Sequence, residues 1–302
     1  MNSIREKLKG VFPPMMTPFR EDQTLDTDAL AYNVEKYNMT DIAGLMPLGS
    51  NGEFRSLDDE ESLQVVRIVR KNLKPGKCLM VGAGRESAYS TVCFARRVAD
   101  EGADFISLLT PFYFLKQMDD AAMLRYYTYV ADRSPVPVLV YCAPKFSGGL
   151  VISPAVISQL ADHPNIVGMK DTSAEPIESY VAASRGKDFY VLAGTINKYY
   201  EALCCGGIGG VLSAANYLPQ QCCRIQALFE EGKLENAKKL AEAIKALTKQ
   251  CSGASGIPGT KACMTLMGFK GGYPRLPLAP ISETEVKRIA EELKKCEELE
   301  AI

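Results

Sequence analysis

The residues that could do chemistry stand at the ends of short apolar runs. Lys170 closes the run Ile166-Val167-Gly168-Met169. With a side-chain period of two, Ile166, Gly168 and Lys170 share one face of a strand. If that face is an interior, an ammonium stands in a low-dielectric pocket, where desolvation disfavours the charged form and lowers the pKa. A partly neutral amine attacks a carbonyl and forms a Schiff base. The competing reading is a lysine just past a strand, extending its charge to water, and the lysine alone does not separate the two. Tyr141 ends the preceding run on the face of Leu139. A phenol beside the amine would shuttle the protons that carbinolamine chemistry needs, whereas the alternative is a core tyrosine with a satisfied hydroxyl. The third part is the turn Gly49-Ser50-Asn51-Gly52. Its glycines let backbone N–H groups converge on an anion such as a carboxylate, and the Ser50 hydroxyl can relay a proton. Taken alone, the sequence favours a plain tight turn.

Other chemistries are poorly supplied. The chain has a single histidine, His163, so a Ser-His-Asp triad must use it or not exist. His163 falls in Asp162-His163-Pro164, before the Lys170 strand and therefore at the end opposite the chemistry. The ten cysteines include the adjacent pairs Cys204-Cys205 and Cys222-Cys223 and no C-x-x-C, which fits neither a zinc site nor a disulfide scaffold. They read as small buried residues in a reducing cytoplasm. Gly82-Ala83-Gly84 follows a strand, but Ser87 occupies the place of the third glycine of a dinucleotide fingerprint. With 35 Lys+Arg against 36 Asp+Glu there is no basic excess for nucleic acid. No apolar run is long enough to cross a membrane. The first residues mix charges with no apolar stretch behind them, so no secretory signal is expected.

The elements that must position these residues are legible as a repeat. Short apolar runs at residues 11–17, 42–48, 78–82, 105–109, 136–141, 166–170, 190–193 and 210–214 read as buried parallel strands. Amphipathic helices lie between them. Asp58 with Glu61 forms a capping pair, and Ser153-Pro154 forms an N-cap with proline at the first helical position. Eight such alternations predict a (β/α)8 TIM barrel, with chemistry at the C-terminal ends of the strands. After the barrel, helices are expected at 219–231, 234–248 and 283–299, the last opened by a Ser282/Glu285 capping box, with a Gly/Pro-rich stretch from Gly253 to Pro280. This divides the chain into a barrel over residues 1–230 and a C-terminal helical extension over 231–302.

The ordered set of strand ends resembles the pyruvate-dependent class I aldolase family that includes dihydrodipicolinate synthase and N-acetylneuraminate lyase. The motifs that carry the resemblance span nearly the whole chain. They are Met16-Thr17-Pro18-Phe19, Gly49-Ser50-Asn51-Gly52-Glu53, Thr110-Pro111-Phe112-Tyr113, Pro137 to Pro144, Ile166 to Asp171, and Arg275-Leu276-Pro277-Leu278. The resemblance implies that Lys170 is the Schiff-base lysine, Tyr141 the proton shuttle and Ser50 the hydroxyl of the relay, with Asn51 beside it. It makes Tyr113 the tyrosine that completes the relay from a neighbouring subunit. It further implies a homotetramer acting on pyruvate and an aldehyde, or on a 2-oxo acid. No cofactor is called for, because the imine is the electron sink. Arg275 is expected to be structural.

The departures concern the substrate. Dihydrodipicolinate synthases usually carry an arginine after their Tyr-x-x-Pro motif. Here Phe146 stands in that place, next to Lys145. N-acetylneuraminate lyases carry an acidic pair after the glycine that ends strand seven, and here Gly194 is followed by Thr195-Ile196-Asn197. The Gly-Ser-Asn-Gly-Glu-Phe turn and Gly256-Ile257-Pro258-Gly259 look most like 4-hydroxy-2-oxoglutarate aldolases. The expectation is a carbon–carbon lyase cleaving a 4-hydroxy-2-oxoglutarate or a 2-keto-3-deoxy sugar acid, with Ser50, Asn51, Gly194 and Phe146 lining the substrate. Its rivals are 4-hydroxy-tetrahydrodipicolinate synthase and a barrel that binds pyruvate without turnover.

Overall fold

The apolar runs form eight parallel strands, β1 (Gly10–Phe12), β2 (Gly44–Leu45), β3 (Cys78–Gly82), β4 (Phe105–Leu109), β5 (Val138–Cys142), β6 (Ile166–Asp171), β7 (Tyr190–Ala193) and β8 (Gly209–Val211). The computed structural model describes residues 3–253 and 255–299. Each strand from β2 to β8 pairs in parallel with the next, and β8 pairs with β1. At the remaining seam, Ala43 N–H donates to Val11 O at 2.9 Å, Met46 N–H to Pro13 O at 3.0 Å and Met15 N–H to Met46 O at 2.9 Å. The sheet is a (β/α)8 TIM barrel.

Helix α1 (Ile4–Leu8) precedes β1. The strands alternate with α2 (Thr27–Asn38), α3 (Asp59–Asn72), α4 (Ala88–Asp100), α5 (Asp120–Ala131), α6 (Pro154–Leu160), α7 (Ile177–Ala183) and α8 (Tyr199–Cys205). After β8 come α9 (Pro219–Glu230), α10 (Leu234–Thr248), α11 (Gly256–Leu266), α12 (Glu283–Leu293) and α13 (Cys296–Leu299). Among the described residues no helix is long and apolar enough to cross a membrane.

Local chemistry explains the boundaries, including those that differ from the sequence reading. The run 11–17 stops being a strand at Phe12, because Pro13 and Pro14 have no N–H to give a ladder. The run 42–48 keeps only Gly44–Leu45, with Pro47 two residues on. The Asp58/Glu61 box forms in both directions, and the Ser153 hydroxyl accepts the Val156 N–H. At α12 only half of the expected box forms: Ser282 accepts from Glu285 N–H, while the Glu285 carboxylate turns to Arg288 at 2.7 and 2.9 Å. The helix expected over 283–299 breaks after Leu293. The stretch 253–280 contains α11, a helix its glycines and proline obscured. Pro258 sits in its first turn, where an N–H has no intrahelical partner.

Two apolar layers result. A large cluster lies between strands and helices. A smaller one fills the barrel below its C-terminal end, with Leu8, Phe12, Met46, Met80, Phe105, Leu139, Leu192 and Val211. Strand β6 corrects one expectation. Val138 faces Ile166 while Leu139 faces Gly168, so Val167 is an extra residue, a β-bulge. Val167 joins the inner cluster and Ile166 the outer one. Ile166 therefore does not share the face of Lys170, and the bulge resets the alternation just before the lysine.

Leu8 is fully buried and packs with the inner cluster, so α1 stoppers the lower end of the barrel. Leu8→Ala is expected to cost about 2–5 kcal/mol of stability, read from urea unfolding. A loss below about 1 kcal/mol would show that α1 is dispensable packing.

Candidate active site

Strand β6 carries Lys170 into the barrel opposite Tyr141 of β5 and Leu192 of β7. Its side chain is 2 % exposed, with Nζ 3.9 Å from Met46 Sδ and 4.0 Å from the centre of the Tyr141 ring. Neither contact replaces the hydration of an ammonium. Burial therefore pulls the Lys170 pKa from 10.5 to about 7. The adjacent Asp171 does not counter this. Its carboxylate accepts from Lys198 Nζ at 2.6 Å and from Ser173 N–H at 2.9 Å. Lys198 also donates to the Glu175 carbonyl. The one acid next to the amine in sequence is thus neutralised by a different lysine.

Tyr141 is the second buried group. Its hydroxyl lies 3.1 Å from Ser50 Oγ. Burial raises the phenol to about 12, with the Ser50 hydrogen bond opposing, so at neutral pH it holds its proton and can donate it. Ser50 opens a single 3-10 turn, Ser50–Gly52. Gly52 N–H donates to Gly49 O at 3.0 Å and Glu53 N–H to Ser50 O at 3.3 Å. The first amides of the turn, those of Ser50 and Asn51, lack an intrahelical partner. Asn51 Nδ2 donates to Ser213 Oγ at 2.9 Å, fixing the turn to the end of β8.

The turn is held under strain by a network that sequence reading missed. Leu48 and Glu53, on either side of it, both have positive φ, 59° and 53°. Thr17 Oγ1 donates to the Gly52 carbonyl at 2.7 Å. The buried Glu53 carboxylate pairs with Lys261 Nζ of α11 at 2.6 Å and accepts from Arg275 N–H at 2.9 Å. Lys261, also buried, donates to Thr17 O at 2.8 Å and Tyr273 O at 2.6 Å, and burial lowers it to about 8 despite Glu53. The Arg275 guanidinium grips Glu61 at 2.7 Å through two nitrogens and bonds the carbonyls of Ser56 and Gln23, all structural contacts. Both cations lie over the Phe19 ring. This gives Thr17 and Phe19 of the first motif their physical role. A lysine in a Gly/Pro-rich stretch gave no periodic signal. Only the α11 helix, itself obscured, could have revealed it.

The structure thus brings Lys170, Tyr141 and Ser50 together, while the side chain of Asn51, next to Ser50, turns to Ser213. Gly194 follows β7 directly with its N–H on Asp171 O at 2.7 Å, and a Cβ there would stand 2.5 Å from that oxygen. Only glycine allows that approach. Phe146 lies on a short turn after β5 and Tyr113 after β4, 44 % and 76 % exposed at the rim. Neither is among the residues that line the inner cleft. The N–H groups of Phe112 and Tyr113 rest on Glu86 at 2.9 Å. His163 is away from this constellation, with Nε2 3.1 Å from Asp132 Oδ1.

A (β/α)8 barrel with a desolvated amine beside a buried, protonated phenol has the equipment of a class I aldolase, an enzyme that makes or breaks a carbon–carbon bond through an imine. The chain belongs to the dihydrodipicolinate synthetase family, which matches residues 7–296. It is 30 % identical to a 4-hydroxy-tetrahydrodipicolinate synthase of Methanothrix thermoacetophila, covering 96 % of this chain and 98 % of that one. It is equally 30 % identical to a probable mitochondrial 4-hydroxy-2-oxoglutarate aldolase of Emericella nidulans, covering 98 % and 97 %. Among solved structures it is similar to a monomeric dihydrodipicolinate synthase variant, with 26 % identity, TM-score 0.90 and coverage of 98 % and 99 %. It is also similar to YagE, a prophage protein of the same family from E. coli in complex with pyruvate, with 25 % identity, TM-score 0.88 and coverage of 96 % and 99 %. The protein is a carbon–carbon lyase of this family.

The buried Glu53–Lys261 pair should be costly to break. Lys261→Met leaves a buried carboxylate without its counter-ion and is expected to cost about 3–5 kcal/mol. Adding Glu53→Gln to it should recover part of that loss. Denaturant unfolding of both variants measures this, and a double variant less stable than Lys261→Met would contradict it.

Proposed function

We propose that the protein cleaves a 4-hydroxy-2-oxo acid, of the 4-hydroxy-2-oxoglutarate or 2-keto-3-deoxy sugar acid kind, to pyruvate and an aldehyde, with Lys170 as the Schiff-base nucleophile. The observation that carries the chemistry is Lys170 Nζ 4.0 Å from the Tyr141 ring, whose hydroxyl is 3.1 Å from Ser50 Oγ. The neutral amine adds to the keto carbon. The carbinolamine then loses its hydroxyl as water, the proton coming from Tyr141 while the nitrogen lone pair closes the C=N bond. The resulting phenolate takes the 4-hydroxyl proton. The C3–C4 electron pair flows into the protonated imine as the aldehyde leaves. Protonation at C3 and hydrolysis release pyruvate and restore the amine. The Ser50/Asn51 nest holds the carboxylate of the 2-oxo acid, with Gly194 and Phe146 bordering the remainder of the substrate.

Pyruvate with borohydride is expected to label Lys170, located by peptide mass spectrometry, and Lys170→Ala is expected to lose both label and turnover. An unlabelled Lys170 in a protein that turns over at full rate would end this mechanism.

Phe146 supports the choice of substrate. It stands where dihydrodipicolinate synthases carry the arginine that holds the carboxylate of aspartate semialdehyde, and a phenyl ring donates no hydrogen bond. Losing one charge-assisted contact costs about 1.5–3 kcal/mol, roughly ten- to hundredfold in kcat/KM. Cleavage of a 4-hydroxy-2-oxo acid should therefore exceed condensation of pyruvate with aspartate semialdehyde, and Phe146→Arg should narrow the gap. Condensation faster by about tenfold or more would favour the second reading, 4-hydroxy-tetrahydrodipicolinate synthase. That reading is supported by the name of the Methanothrix thermoacetophila relative and several others.

We also propose a homotetramer in which Tyr113 meets a neighbouring subunit, supported by the exposed rim hydrophobics Tyr113, Phe114 and Leu115. A cytoplasmic location remains part of the proposal, supported by ten unbridged cysteines.

A further inference from the structure

Three loops at the C-terminal end of the barrel meet on one carboxylate that the chemistry above does not use, that of Glu86. Its place is set by the segment that carries it. Gly84, two residues past β3, lies close against the end of β4: a Cβ there would stand 3.0 Å from Leu109 N and 3.1 Å from Leu109 O. Arg85 is pinned on both sides. Its N–H donates to Thr91 Oγ1 at 3.0 Å, and its carbonyl accepts from the Tyr126 hydroxyl at 3.0 Å. Its guanidinium lies 3.8 Å from the centre of the Phe94 ring and pairs with Asp59 at 2.7 Å. Ser87 is the N-cap of α4, its hydroxyl accepting from Ser90 N–H at 3.0 Å. Glu86 is thus carried between two fixed residues.

What Glu86 holds is the start of the loop after β4. Its Oε2 accepts the N–H of Phe112 and the N–H of Tyr113, each at 2.9 Å. Its Oε1 accepts from Arg55 Nη2 at 2.5 Å. Hydrogen bonds to an ionised carboxylate are the stronger kind. The Arg55 guanidinium in turn lies 5.0 Å from the centre of the Phe54 ring and 5.4 Å from that of Phe112. Phe54 lines the inner cleft with Ser50 and Tyr141. Tyr113 is 76 % exposed and in T-shaped contact with Phe114, itself exposed. A side chain with so little packing of its own is aimed by its backbone.

We propose that Glu86 is a positioning residue for catalysis in the neighbouring subunit: by clamping the amides of Phe112 and Tyr113 it sets the direction from which Tyr113 enters that subunit's site. The inference rests on the reading that Tyr113 meets a neighbouring subunit and completes the relay there. Released from its clamp, an exposed tyrosine samples many orientations, and a misplacement of about 1 Å can cost about a hundredfold in rate. Glu86 acts on the reacting atoms only through Tyr113, so its loss belongs in the rate and not in pyruvate binding.

Mixed oligomers of the full chain test this, with exchange of pyruvate methyl protons in heavy water followed by NMR and pyruvate as the only ligand. Glu86→Ala is expected to slow exchange at saturating pyruvate by about tenfold or more, with half-saturation within about twofold of the parent. Sedimentation should show the parent's assembly. Lys170→Ala alone is expected to be inactive. Co-expressed, the two should regain exchange, because the Glu86→Ala subunit keeps Lys170 and Tyr141 and receives a well-placed Tyr113 from its Lys170→Ala neighbour. Random pairing puts one competent site in half of the pairs, so recovery should approach about a quarter of the parent rate. Tyr113→Phe should be slow alone and recover with Lys170→Ala in the same way. Glu86→Gln keeps a carbonyl for the two amides but turns an NH2 group toward Arg55. It should fall between the parent and Glu86→Ala, and it replaces Glu86→Ala in the mixture if that variant does not fold. Exchange at the parent rate in Glu86→Ala would overturn the proposal. So would a slow Glu86→Ala that Lys170→Ala fails to restore while Tyr113→Phe is restored, since Glu86 would then serve its own subunit. Raised half-saturation alone would overturn it in favour of direct contact with substrate. A dissociated Glu86→Ala whose exchange returns at higher protein concentration would overturn it in favour of a contact that only holds subunits together. Tyr113→Phe at the parent rate, or slow and not restored, would overturn the reading of Tyr113, and this inference with it.

Discussion

The structure is organised around one unfavourable act: an amine is taken out of water and given no counter-ion. Lys170 is 2 % exposed, touched by a thioether and the face of a phenol, and its pKa falls to about 7 for that reason alone. The arrangement survives only because the neighbouring charges are disposed elsewhere. Asp171 is locked by Lys198 and Ser173, so it does not restore the ammonium. The β-bulge at Val167 aims the lysine inward, after one residue that would otherwise have reversed the alternation.

A second constraint follows from the first. A neutral amine is useful only if the carbonyl is brought to it, and the turn proposed to hold the substrate carboxylate is strained between two left-handed residues. The barrel does not hold that turn alone. Helix α11 sends Lys261 to Glu53 beside that turn, and the segment after it supplies the Arg275 N–H. This is a physical reason for helices beyond the eighth strand: they fasten the Ser50–Gly52 turn through Glu53. Breaking the buried pair should therefore disturb the site through its geometry as well as the stability of the chain.

Much of this was legible in the sequence, for identifiable reasons. Short apolar runs with terminal Lys170 and Tyr141 announced strands whose ends converge, and the caps at Asp58 and Ser153 marked helix starts correctly. What escaped was of a different kind. Proline shortened β1 and β2 without changing their apolar pattern. The bulge in β6 depends on pairing with β5, which no single run encodes. The Glu53–Lys261 pair joins residues far apart in the chain, and Pro258 and two glycines hid the helix that makes it.

The central claim is that burial alone makes Lys170 a nucleophile near neutral pH. The most direct measurement is an NMR titration of protein labelled with carbon-13 at lysine Cε, with the Lys170 signal identified by its loss in Lys170→Ala. The account predicts a midpoint of about 7 in the unliganded protein. A midpoint near the ordinary lysine value of about 10.4 would contradict it, because the amine would then be protonated at the pH where it must attack.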